Sequence, residues 1–339
     1  MRKILPDLLK GWAVLWMIQV HLMELFMPEA VYQSLWGRIS LFLGGPPAAP
    51  VFMAVMGYFL ARPAVKAAGL ALRGLKLLLW GLLLNLGLNL HVLFRYFFRE
   101  LQLDPLRYLF GVDILFLAGF SLLFIAILKP LLKDRLLLWL LLAAGIAFFG
   151  DRFPVLANSS GPLQYLAAYL GGNYPWSYFP LIPWLAYPLT GYAAWMLERK
   201  YSLGAASGRY FSILLLLMIL SLLITLPWAV SISHHLPSYY HHGLPFFGWT
   251  LLFLCCYTLL ISKMNRLNFL RPLHLYLGWL GRNVTSVYVF QWLLIGNLAT
   301  LVYKSQPAWT FLPWFVVITV VVTGLTRLWE KRKSSNNVL

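Results

Sequence analysis

A run of roughly 17–25 apolar residues is long enough to cross the hydrocarbon core of a bilayer as a helix, and this sequence carries about ten of them, separated by proline, glycine or charge. They lie near residues 11–28, 41–61, 75–94, 110–128, 136–150, 179–197, 210–229, 246–262, 283–303 and 309–326, the fifth being the shortest. Backbone polar groups in lipid must be satisfied within their own segment, which leaves helices as the solution for runs of this length. The pattern therefore predicts an all-α, polytopic integral membrane protein, one bundle of about ten transmembrane helices forming a single domain over residues 1–339. Composition agrees: 61% of the 339 residues are hydrophobic and 11% are charged. The start Met1-Arg2-Lys3 before an apolar run imitates a signal peptide. The run is long enough to span, contains His21 and Glu24, and lacks a small-residue cleavage site, so it reads as a retained helix.

The formal net charge is +17, from 27 Lys and Arg against 10 Asp and Glu. The basic residues come in short clusters between apolar runs, a pattern of topology determinants and anionic-lipid contacts that speaks against a nucleic-acid partner. With ten spans both termini share a side. On that assumption 21 basic residues, from Arg2, Lys3 and Lys10 to Arg327, Lys331, Arg332 and Lys333, fall on the terminal side and six on the other. The positive-inside rule then makes both termini cytoplasmic. The longer loops, about 95–109, 151–178 and 230–245, fall outside, with Tyr174, Trp176 and Tyr178 at interface depth. Cys255 and Cys256 are adjacent in a predicted helix and imply neither a disulfide nor a metal site.

Ionisable groups at membrane depth are costly and mark function. His21 and Glu24 stand three residues apart in the first span, on one helical face, where the carboxylate would orient the imidazole and stabilise its charge as a general base requires. The alternative is a buried histidine bonded to a neighbouring helix, with Glu24 at the interface. Lys10 marks the cytoplasmic entry of this span, and the eleven positions from it to His21 correspond to about 16 Å of helix. Asp113 opens the fourth span and reads equally as a site residue or as an N-terminal charge favouring the helix dipole. Pro46, Pro47 and Pro50 at the start of the second span suit either a cavity wall or a packing kink.

Before the ninth span, Gly281-Arg282-Asn283 would offer a phosphate both backbone donors and a guanidinium, or would serve as an ordinary positive-inside anchor. Gln291, two turns deeper, would face the same interior as His21. The doublets His234-His235 and His241-His242 have no Cys, Asp or Glu beside them, so no metal is expected. His91, near Asn85 and Asn89, reads as interfacial or cavity-lining.

Taken in order, Asp7-Leu8-Leu9-Lys10-Gly11 leading to His21, Ala49-Pro50-Val51-Phe52-Met53 with Met56-Gly57, Phe179-Pro180-Leu181-Ile182-Pro183-Trp184 with Gly191, and Gly278-Trp279-Leu280-Gly281-Arg282-Asn283 with Tyr288 span most of the chain. Together they resemble the transmembrane acyltransferase superfamily, and most closely its heparan-α-glucosaminide N-acetyltransferase-like bacterial branch. The resemblance implies an enzyme of about ten helices in the bacterial cytoplasmic (inner) membrane. It would take an acyl group, acetyl first of all, from cytosolic acetyl-CoA or another acyl-CoA and deliver it to a hydroxyl or amine of an envelope glycan or glycolipid sugar. In the related O-acyltransferase branch a basic residue eleven positions before a first-helix histidine belongs to the active site. Here Lys10 stands where arginine is usual, keeping the charge and losing the bidentate fork, and His21 matches the histidine. Many relatives also have a histidine soon after the tyrosine, where this chain has Gln291.

The expected catalytic residues are thus His21, Glu24 and Asp113, with acyl-CoA held by Lys10, Arg282 and Asn283, between the first, second, fourth and ninth spans. The competing expectation is a proton-coupled transporter or flippase in which His21, Glu24 and Asp113 form a relay without chemistry. The expected partners are the bilayer, acyl-CoA and the glycan or glycolipid acceptor. Homo-oligomerisation is left open.

Overall fold

A computed structural model describes residues 4–100, 102–153, 160–201 and 209–336. Arg2 and Lys3 of the basic tally, and residues 154–159 of the expected outer loop 151–178, lie outside the described residues. The chain divides into two compact units, Met1–Ala48 with Tyr257–Leu339, and Ala49–Cys256. Among the described residues the structure is helical throughout, with an isolated bridge between Val112 and Ser177.

The first unit begins with α1 (Leu5–Phe26), whose first turn holds Pro6 and Asp7, residues that suit the donor-rich end of a helix. Pro28 forces Met27 into an extended conformation and ends it. Two short helices follow, α2 (Glu29–Tyr32) and α3 (Leu35–Gly44), the latter capped by Ser34, whose hydroxyl accepts from the Gly37 amide. The expected second span is broken here. Pro46 and Pro47 offer no amide hydrogen and crowd the preceding turn, so the chain makes a four-residue turn between α3 and α4 (Ala49–Leu60).

The second unit runs from α4 through α5 (Ala67–Phe97), α6 (Pro105–Leu109), α7 (Ile114–Leu132), α8 (Leu136–Phe148), α9 (Leu163–Leu170), α10 (Leu181–Trp184), α11 (Ala186–Tyr201), α12 (Arg209–His234) and α13 (Leu236–Tyr240) into α14 (Leu244–Met264), which carries the division between units at Cys256. Small residues let its helix backbones touch. A Cβ on Gly57 would collide with the Pro188 carbonyl, and one on Gly191 with that of Ala54, so α4 and α11 approach closely through glycine. Gly74 and Gly119 do the same for α5 and α7. Trp139 stacks on Tyr192 with ring centroids 3.9 Å apart, which joins α8 to α11.

The first unit is completed by α15 (Arg271–Arg282), α16 (Val284–Val302) and α17 (Phe311–Asn336). The sequence pattern leaves α15 in a loop because it is too short for a spanning window. Its buried residues His274, Leu277, Gly278, Leu280 and Gly281 nevertheless follow helical spacing on one face.

Among the described residues, seven helices are long and apolar enough to cross a membrane: the α3–α4 pair, α5, α7, α12, α14, α16 and the segment containing α17. Leu214, Leu217, Leu223 and Ile224 of α12, and Leu312 and Val320 of α17, are exposed large apolar side chains of the kind lipid covers. This is an all-helical integral membrane protein.

Candidate active site around His21

The site is built on α1, a helix unbroken from Leu5 to Phe26. Its first turns lie against α15 at backbone distance: a Cβ on Gly11 would strike the Leu277 carbonyl, and one on Gly281 the carbonyl of Asp7. That close approach brings Lys10 and the Gly281-Arg282-Asn283 segment into one neighbourhood. Lys10 pairs with Asp7 at 3.1 Å, and the Asp7 side chain is only 2% exposed. Arg282 is exposed at the end of α15. Asn283 closes α15 by donating from its side chain to the Trp279 carbonyl at 3.2 Å, and α16 starts at the next residue. The start of α16 thus follows directly on a basic residue, a pairing in sequence of helix N-terminus and guanidinium that suits a phosphate or carboxylate.

Higher on α1, Gln19 and Ser40 form a reciprocal pair. The Gln19 amide donates to the Ser40 carbonyl at 2.9 Å while the Ser40 hydroxyl donates to the Gln19 oxygen at 2.6 Å. A Cβ on Gly44 would meet the Val20 side chain, so α3 also lies close to α1. This polar clasp joins α3 to the turn of α1 from which His21 projects, and neither residue carries a signal of its own in the sequence.

His21 is 8% exposed, and its Nδ1 is buried without a hydrogen-bond partner. Its ring lies against Trp292 of α16, centroids 4.0 Å apart and planes tilted by 36°. The neighbouring Gln291 is 1% exposed, with Oε1 likewise buried and unpartnered. Buried polar atoms are nearly always bonded, and leaving one unmade costs about 1–3 kcal/mol. Two such atoms lie on the helices joined by the His21–Trp292 contact. An imidazole whose Nδ1 is not committed to a neighbour is free to exchange a proton or to attack a carbonyl.

No hydrogen bond joins His21 to Glu24. Glu24 belongs instead to a cluster at the far end of α1. There the Lys304 amide donates to the Leu25 carbonyl and the Gln306 amide to that of Phe26, both at 2.9 Å, closing the helix end with the loop after α16. The Lys304 ammonium donates to Glu29 at 2.7 Å. That bond is the main cause holding its pKa above the usual lysine value, and the negative charge of Glu24 adds to it. Tyr32 is pushed up to about 12 by burial and then by Glu24 and Glu29. Lys304 thus lies within the electrostatic reach of the carboxylate one turn beyond His21, a relation across about 280 residues that no local spacing reveals.

Asp113, in the other unit, is the N-cap of α7: its carboxylate accepts from the amides of Leu115 at 2.9 Å and Phe116 at 3.3 Å. Of the doublet His241-His242 before α14, His242 is bonded at both nitrogens, whereas Nδ1 of His241 is buried without a partner. The Nδ1 of His242 donates to the Tyr239 carbonyl at 2.7 Å, which leaves its Nε2 to accept from the Tyr187 hydroxyl at 2.8 Å. His91 is exposed. Cys255 and Cys256 are free thiols.

The helical membrane architecture, a basic group at the start of α1 and a buried imidazole eleven residues on coincide with a family-level match: the model of an acyltransferase domain, acyltransferase 3, aligns with residues 5–328. The chain belongs to the acyltransferase 3 family. It is accordingly an enzyme, a membrane acyltransferase, and the match runs through both units without favouring a particular branch. No curated protein and no solved structure matches the chain.

Proposed function

We propose that this acyltransferase moves an acetyl group from cytosolic acetyl-CoA to a hydroxyl or amine of an envelope glycan or glycolipid sugar, as in the heparan-α-glucosaminide N-acetyltransferase-like branch. In this reading the chain crosses the bacterial cytoplasmic membrane ten times with both termini inside, α1, α8 and α11 joining the seven longer apolar segments. The CoA phosphates contact Lys10, Arg282 and the first amides of α16. The pantetheine arm follows α1 for the roughly 16 Å between Lys10 and His21. His21 takes the proton of the acceptor as its oxygen or nitrogen attacks the thioester carbonyl, and the thiolate leaves and is protonated. The same nitrogen is also placed to carry the acyl group briefly. Glu24 stabilises the imidazolium through space and Gln291 bonds the acyl donor or acceptor. Asp113 is given its cap of α7 and no chemical step.

The observation that carries this reading is the buried, unpartnered Nδ1 of His21 against Trp292, on the same helix as Lys10. Acetyl-CoA binding and acetyl transfer, measured on the detergent-purified protein beside His21→Ala, test it. Saturable binding in both with transfer lost in the variant is the expected result. An active alanine variant removes the mechanism, and absence of binding to acetyl-CoA and longer acyl-CoAs removes the donor and turns attention to proton-coupled transport.

A further inference from the structure

A pocket of about 580 Å³ opens in the second unit between the start of α8 and the end of α11, and its walls combine two kinds of chemistry. Arg135, Arg199 and Lys200 line one part, against a single acid, Asp134. All three basic side chains are exposed, and none forms an ion pair with an acid among the described residues. Arg199 lies over the Trp195 ring at 5.5 Å and Lys200 over Tyr201 at 5.0 Å. Glu198, the acid next to them in sequence, accepts a hydrogen bond from Tyr58 of α4 at 2.5 Å. The first turn of α8 forms part of the same wall, so the positive end of its dipole adds to the three cations. The other part of the lining is apolar and includes Leu137, which is 66% exposed; one turn further along α8, Leu141 is 58% exposed. The walls are held in register by the Trp139–Tyr192 stack.

We propose that this pocket binds an anionic phospholipid. Its phosphate and headgroup sit among Arg135, Arg199 and Lys200, and its acyl chains run along the Leu137–Leu141 face of α8. Uncompensated cations beside an apolar track on a helix fit an amphiphile with a negative headgroup, whereas a soluble anion uses only the basic half. The inference is independent of the donor and acceptor proposed for His21, since no residue is shared.

The test is calorimetry on the full chain in non-ionic detergent with three probes: dioctanoyl phosphatidylglycerol, dioctanoyl phosphatidylcholine and CoA. Phosphatidylglycerol is expected to bind at least about tenfold more tightly than phosphatidylcholine. Arg135→Gln, Arg199→Gln and Lys200→Gln are each expected to weaken it by about fivefold, the effect of one basic group near an anionic lipid surface. Arg199→Lys should retain most of the affinity, and the melting temperature without lipid should be unchanged in all four. Equal affinity for the two lipids, or indifference to the glutamine variants, overturns the proposal. So does displacement of the lipid by CoA in the wild type together with loss of CoA binding in the same variants, which assigns the pocket to a soluble phosphate.

Discussion

Two buried histidines in this protein meet opposite fates. His242 has both ring nitrogens occupied, one by the Tyr239 carbonyl and one by the Tyr187 hydroxyl, inside a cluster of aromatic rings that includes Trp184 and Phe246. His21 is about as well buried, yet its Nδ1 is bonded to nothing and its ring rests on Trp292. Burial alone therefore does not separate a structural histidine from a chemical one. The hydrogen-bond balance adds a distinction: the satisfied ring of His242 contributes to stability and has no nitrogen left for substrate, while His21 keeps an uncommitted Nδ1, as does His241 beside His242.

The largest effect that would break this contrast is on turnover. His21→Ala should lower acyl transfer by about 10²–10⁴-fold, the usual worth of a proton-transferring group, with little change in melting temperature, whereas His242→Ala should leave turnover per folded molecule nearly intact. Comparable losses at both positions would erase the distinction. Next in size, His242→Ala should destabilise the protein by about 2–5 kcal/mol, because it leaves the Tyr187 hydroxyl and Tyr239 carbonyl unpartnered around a cavity, and thermal or denaturant unfolding in detergent reads it.

Acid should reproduce part of that loss. Burial holds both His241 and His242 down to about 4. Protons therefore bind the unfolded chain as the pH falls through the ordinary value near 6.5 while the folded protein resists until about 4. Their stabilisation is complete above pH 6.5 and is lost between there and pH 4, on the order of a few kcal/mol, and should be absent in a His241→Gln, His242→Gln double variant followed by pH-resolved melting. Smaller still, Gln291→Leu should be neutral or stabilising by up to about 1–2 kcal/mol, since it removes an unbonded buried amide oxygen, while reducing transfer about tenfold. A destabilised Gln291→Leu protein would show that the amide is structural after all. The smallest effect belongs to the Lys304–Glu29 pair, whose side chains are 33% and 57% exposed. Lys304→Met should cost at most about 1 kcal/mol, so a marked change in the pH dependence of transfer would have to come through Glu24.

Much of this was legible in the order of residues, because it is local. Apolar runs of spanning length dictate a helical membrane protein, and Lys10 and His21 keep their separation of eleven residues because one continuous helix carries both. The proline pair at 46–47 announced a disturbance, although whether it would kink one helix or divide two depended on the turn that formed there. Asp113 illustrates the same boundary: its place at the head of α7 was readable, and the two amides its carboxylate accepts from became visible only in the folded chain.

The remainder was settled by segments far apart in the chain. The amphipathic helix α15 docks on α1 because Gly11 and Gly281 let two backbones touch, and glycine in a sequence does not name the carbonyl it will face. Gln19 finds Ser40, Trp292 covers His21, and Lys304 crosses from the other end of the polypeptide to the acidic end of α1. Helical periodicity therefore determined the fold class and the Lys10–His21 spacing, for these depend on neighbours within one helix. Which histidines keep an uncommitted nitrogen depends on what the packed helices bring to them, and only the tertiary structure decides that.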